Sequence, residues 1–162
     1  MKKAIVLYYS FEGSTKKVAK YLAEHLDIDI HEIKPVKEIP TKSFIKYIWG
    51  GGQVVMKSKP AIEELKLSLD DYDMIFLGTP IWAGTFAPPI HSLLEKKFMA
   101  NKSIAYFYCH EGGASRAENA AKVAIEKNNQ YLGAFGCLNI KKNFESIKVD
   151  LLAWAMKIVD QK

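Results

Sequence analysis

The chain has 162 residues, about the length of one domain, and its 49% apolar and 25% charged composition excludes a disordered, collagenous or coiled-coil protein. The formal charge is +5, but of the 23 basic residues only Arg116 is an arginine, the better reader of phosphates and base edges, and the lysines are scattered, so no nucleic-acid partner is expected. No apolar stretch approaches the roughly 20 residues that span a bilayer, and residues 1–10 carry no small-residue cleavage site, so the expected setting is cytoplasmic, without a membrane partner.

Taken in chain order, residues 4–9 form an apolar run of strand length. Val18, Ala19, Leu22, Ala23 and Leu26 follow at spacings of three and four, which predicts a helix over 15–25. A second strand is predicted over 28–33. Residues 35–69 break the alternation: Phe44, Ile45, Tyr47, Ile48 and Trp49 precede three glycines at 50–52 and then Val54, Val55 and Met56. That pattern predicts a short helix, a joint and a second helical piece over one sheet face, with core aromatics or a lid. Asp70, Asp71 and Asp73 read as a turn before a third strand over 74–78. Pro88 and Pro89 mark a helix start, where proline costs no hydrogen bond.

A fourth strand is predicted over 104–109. Ser115 and Glu118 are spaced as a capping box before the stripe Ala117, Ala120, Ala121, Ala124 and Ile125. A fifth strand over 132–137 and a last helix over 148–159 complete the pattern. Three of the strands are nearly continuous hydrophobes, as expected when helices cover both faces. The fold expected over 1–162 is a single α/β domain, a doubly wound five-stranded parallel sheet with helices on both faces, whose ligands sit beyond the carboxyl ends of the strands.

Three loops at that edge carry chemistry. Ser10, Phe11, Glu12, Gly13, Ser14 and Thr15 join the first strand to the first helix, and their hydroxyls, a turn-forming glycine and the free amides of a helix start suit a phosphate. Neither G-x-x-x-x-G-K-[ST] nor G-x-G-x-x-G is present here. Thr79, Pro80, Ile81, Trp82, Ala83 and Gly84 follow the third strand and offer the face of Trp82 to an aromatic ligand. Cys109, His110, Glu111, Gly112 and Gly113 follow the fourth strand and offer backbone amides. No catalytic triad or metal-ligand spacing is present. Cys109 and Cys137 are too few for a zinc site and are expected to be reduced.

In order, each after a predicted strand, these loops resemble those of the flavodoxin-like FMN proteins, over nearly the whole chain except residues 35–69. The resemblance implies FMN as cofactor, with its phosphate in the Ser10–Thr15 loop, Trp82 stacked on the inner flavin face and the Cys109–Gly113 amides at the pyrimidine edge. It further implies that the Ala83–Gly84 peptide lies beside flavin N5 and turns the Ala83 carbonyl toward it in a type II turn with Gly84 at the third position. Glu12 departs from the family, which usually has a hydroxyl residue there, so its carboxylate is expected to point away from the phosphate or to weaken binding. The third loop also lacks the tyrosine that covers the outer flavin face in many members, leaving that face open or covered by His110 or by an aromatic of the long connection. Electron-carrier flavodoxins are strongly acidic and this chain is basic, so the docking partner does not carry over. Three functions are compatible: an electron carrier between redox partner proteins or a small donor and acceptor, an FMN-dependent NAD(P)H or quinone oxidoreductase, and a phosphate-ligand module without turnover.

Overall fold

The computed structural model describes residues 3–38 and 59–160. The expected helical pieces around Phe44–Trp49 and Val54–Met56 lie outside these residues. Five strands, β1 (Ala4–Tyr8), β2 (Asp29–Glu32), β3 (Met74–Trp82), β5 (Ser103–His110) and β6 (Gln130–Leu138), pair in parallel in the order β2-β1-β3-β5-β6. A short β4 (Thr85–Phe86) folds back antiparallel on β3. Helices α1 (Ser14–Leu26) and α4 (Ile140–Asp160) cover one face, and α2 (Pro88–Leu94) and α3 (Ala117–Ile125) the other. The doubly wound α/β fold expected from the alternation is thus present. No helix among the described residues is long and apolar enough to cross a membrane.

The central strands are buried except near their carboxyl ends, because each faces a helix layer on both sides. Val6, Phe76 and Phe107 of the sheet pack against Val18 and Leu22 of α1 and Leu151 of α4. On the other face Leu7, Ile75 and Tyr106 pack against Ile90 and Leu93 of α2 and Ile125 of α3. β2, at the sheet edge, is short and partly exposed. The Asp-rich stretch is the expected turn, a 3₁₀ turn over Leu69–Asp71 that Ser68 caps through the Asp70 amide at 3.2 Å.

Most boundaries shift by one or two residues, and three departures are larger or change a contact. β3 continues four residues beyond Gly78 to Trp82, because Thr79 and Pro80 stay in register with Tyr108 and Cys109 on β5. α4 begins at Ile140, not Lys148, since Ile140, Phe144 and Leu151 form one buried stripe beneath a polar outer face. The Ser115–Glu118 capping box does not form: Arg116 is the N-cap of α3, and Glu118 instead accepts a hydrogen bond from the Tyr131 hydroxyl at 3.3 Å. At α2 the expectation holds, with Pro88 at the first helical position.

Gly78 marks the closest approach in the sheet. A Cβ there would lie 2.2 Å from Cζ of Phe107, a fully buried ring with nowhere to move. Gly78→Ala is therefore expected to cost about 1–3 kcal/mol of stability through overpacking. Urea unfolding of Gly78→Ala beside the unsubstituted protein measures it, and an unchanged midpoint would show that the ring gives way without cost.

Candidate functional site

β1, β3 and β5 end at one edge, and the three chemically promising loops leave from it together. They enclose a cavity of about 460 Å³, which also takes in Ile140 at the start of α4. Of the residues expected in the site, all but Gly13 and Thr79 line this cavity. Gly13 is the N-cap of α1, and its amide donates to Ser10 Oγ at 3.2 Å. Thr79 is buried behind the wall, where its hydroxyl accepts from the Ala87 amide at 3.0 Å and donates to the Pro80 carbonyl at 2.9 Å. It therefore braces the second loop against the start of α2 without reaching the cavity.

In the first loop, Ser10 does more than its sequence position suggested. Its Oγ accepts from the amides of both Gly13 and Lys16, each at 3.2 Å, so it satisfies a first-turn donor of α1 as a helix cap would. Ser14 does not cap the helix but is its first residue. The Lys17 amide donates to the Gly13 carbonyl, so the amides of Ser14 and Thr15 come before the first i-to-i−4 hydrogen bond of α1, where helix donors are open to a ligand. The Thr15 hydroxyl is buried, at 1% exposure, and its Oγ1 has no hydrogen-bond partner. An orphaned buried hydroxyl costs about 1–3 kcal/mol, and beside two open amides at the positive end of a helix dipole it suits a bound anion.

Glu12 borders the cavity as well. Its carboxylate pairs with Lys141 of α4 at 3.2 Å, so the one acidic group of the loop is balanced by a cation that sequence reading missed, because α4 was predicted to start later.

The second loop is a tight hairpin. Ile81 pairs with Phe86 and Trp82 with Thr85, leaving Ala83 and Gly84 as a two-residue turn. Their φ angles are +49° and +81°. Positive φ at both positions defines a type I′ turn, so the expected type II turn is not present. The twist of the flanking strands selects the primed turn. Turning the Ala83–Gly84 peptide over would give a type II′ turn, which wants glycine at the first position, where Ala83 stands. Trp82 lies in the cavity wall at 3% exposure, braced edge-to-face by Tyr9 at 5.9 Å and Phe11 at 5.6 Å between ring centroids.

In the third loop, Cys109, His110, Glu111, Gly112 and Gly113 all reach the cavity. The His110 ring leans on Tyr108, with centroids 5.6 Å apart, and its Nδ1 is buried without a hydrogen-bond partner. Burial pushes its pKa below the usual imidazole value, while Glu111 opposes the shift. The ring is accordingly neutral at pH 7. Among the described residues no cluster of His, Cys, Asp or Glu could hold a metal ion.

A neutral anion cradle, an aromatic wall and a polar backbone rim at the carboxyl edge of a doubly wound sheet define a protein built for a planar, phosphate-bearing ligand. Comparison with known proteins agrees: the family model described as Flavodoxin matches residues 3–147, and the chain belongs to the flavodoxin family. A flavoprotein candidate from Bacteroides eggerthii superposes with a TM-score of 0.79 at 22% identity, covering 99% of this chain and 100% of that one. A flavoprotein from Lactobacillus acidophilus, solved in complex with FMN, gives 0.70 at 24% identity, over 90% and 98% of the two chains. Oxidised flavodoxin 2 from Bacillus cereus gives 0.64 at 17% identity, over 99% of each. At these identities the superpositions establish the shared fold.

The turn makes a stability prediction. Ala83→Asn places the residue that type I′ turns prefer at the first position and should raise stability by several tenths of a kcal/mol, to about 1. Gly84→Val should lower it by about 1–2 kcal/mol, because a β-branched residue is strained at positive φ. Thermal unfolding of the two variants reads both signs.

Proposed function

We propose that the protein binds FMN in this cavity and carries electrons between redox partners. The observation that supports it best is the Thr15 hydroxyl, buried and unpaired beside the open first turn of α1. A phosphate there gains the Thr15 hydroxyl, the Ser14 and Thr15 amides and the helix dipole, without needing an arginine. The Glu12–Lys141 pair keeps the loop from repelling the dianion. FMN rather than FAD is the reading because, among the described residues, the cavity has a single anion cradle and no adjoining place for an adenosine half is apparent.

Bound flavin supplies one- and two-electron transfer through its ring system. The chain's own groups hold and shield it. Trp82 and the hairpin form one wall, and the amides of the third loop face a ring edge with hydrogen-bonding atoms. His110, neutral, brings a ring nitrogen without a charge. The partner is another redox protein or a small donor and acceptor. An FMN-dependent NAD(P)H or quinone oxidoreductase is the competing function, and steady-state oxidation of NADH or NADPH with quinone separates the two: the carrier reading predicts no turnover unless a separate reductase is added.

Two measurements test the binding claim. Mass spectrometry of the cofactor released from the purified protein should find FMN; stoichiometric FAD would refute the reading. Thr15→Ala should weaken FMN by roughly tenfold to a hundredfold, the loss of a hydrogen bond to a charged group, and leave riboflavin affinity nearly unchanged. Equal losses for both ligands would make Thr15 structural.

A further inference from the structure

Two thiols that electron carrying does not use stand side by side in the sheet. Cys109 on β5 is the register partner of Cys137 on β6. Neighbouring strands lie about 4.8 Å apart with paired residues projecting from the same face, and that spacing falls inside the roughly 4.4–6.8 Å between Cα atoms that a disulfide bridges. Both side chains belong to the core beneath α1 and α4, and both are free thiols. They differ in access: Cys109 borders the cavity at 6% exposure, whereas Cys137 is at 0%. Contact with the Cys109 thiol, together with burial, pushes the Cys137 thiol far above its ordinary pKa. Position beside the cavity therefore sets the order, with Cys109 meeting an oxidant first, while Cys137 stays a protonated thiol that gives up its proton only as it resolves.

We propose that Cys109 and Cys137 are a redox-active pair, in which a peroxide entering the cavity oxidises Cys109 and Cys137 then closes a cross-strand disulfide between β5 and β6. The Cys109 sulfur attacks one peroxide oxygen and the O–O bond breaks. A sulfenic acid forms, and the departing oxygen leaves as water with the thiol proton. The Cys137 sulfur displaces the sulfenic oxygen, which leaves as a second water with the Cys137 proton. In sum, two thiols and one hydrogen peroxide give one disulfide and two waters, with two electrons passing from sulfur to oxygen. A dithiol reductant reverses the reaction by exchange. The disulfide ties the two strands where β5 passes into the third loop and β6 into α4. Because peroxide reaches Cys109 through the cavity, FMN there guards the pair; this clause alone rests on the proposed function.

The test uses the full chain, stripped of bound small molecules and treated with one equivalent of hydrogen peroxide, then denatured in alkylating reagent. Intact mass should fall by two hydrogen atoms, neither cysteine should alkylate, the chain should stay monomeric on a non-reducing gel, and dithiothreitol should restore both thiols. Cys137→Ser should instead accumulate a Cys109 sulfenic acid that dimedone traps. Oxygen added without loss of hydrogen, a disulfide between chains, or two thiols still open to alkylation would each overturn the proposal. In a parallel arm, protein loaded with FMN, as judged by flavin fluorescence, should oxidise roughly tenfold more slowly, as expected for a thiol whose access is closed. An unchanged rate with FMN bound would refute the cavity route. Failure of FMN to bind would refute the FMN reading, while disulfide closure in the stripped protein would still support the pair.

Discussion

The cavity depends on one row of the sheet, in which Tyr8, Gly78 and Phe107 are register partners and the Phe107 ring fills the space a side chain at Gly78 would need. This close approach pins β3 between β1 and β5. A slip of one residue would turn every side chain of a strand to the opposite face, and here both faces are packed. One residue further along, the Tyr9 amide donates to the Gly78 carbonyl at 3.0 Å, so β1 is held to β3 up to the point where the Ser10 loop departs. The three loops open from a common level because their strands are locked at that level.

Upon that base, the chain assembles an anion site almost without charge. Ser10 is engaged as a cap by Gly13 and Lys16, Glu12 is paired with Lys141 at the surface, and the groups left for a ligand are amides, a buried hydroxyl and the α1 dipole. Such a site favours the fully ionised phosphate through oriented donors. The lysines elsewhere on the chain set its surface charge and are not needed in the cradle. Cys109 gives the same cavity a second kind of chemistry, since it meets the ligand space on one side and Cys137 on the other.

Much of this was legible in the residue order. Strands buried on both faces leave unbroken apolar runs, so β1, β3 and β5 could be read directly, and the loops after them could be recognised as the flavodoxin pattern. The misses have physical causes. Gly78, Thr79 and Pro80 look like the end of a strand, yet parallel pairing with Tyr108 and Cys109 carries β3 past them into a hairpin. Lys141, Lys142 and Asn143 look like loop, yet Ile140 and Phe144 on the other side make that turn helical. The late start predicted for α4 hid Ile140 and Lys141 from the site. The positive φ of Ala83 left no trace in sequence, because alanine carries no preference for it; the twist of the hairpin imposes it. Cys109 and Cys137 are distant in the chain, and only the register of β5 with β6 makes them neighbours.

The central claim is that a neutral cradle of amides and hydroxyls at the start of α1 clamps the FMN phosphate as a dianion. Phosphorus NMR of the FMN-loaded protein tests it most directly, by taking the pH through the second phosphate pKa of about 6. The account predicts a phosphate resonance displaced from that of free FMN and unmoved by pH across this range, since the oriented donors favour the charged form. A resonance that titrates as it does for free FMN would place the phosphate in solvent and contradict the account.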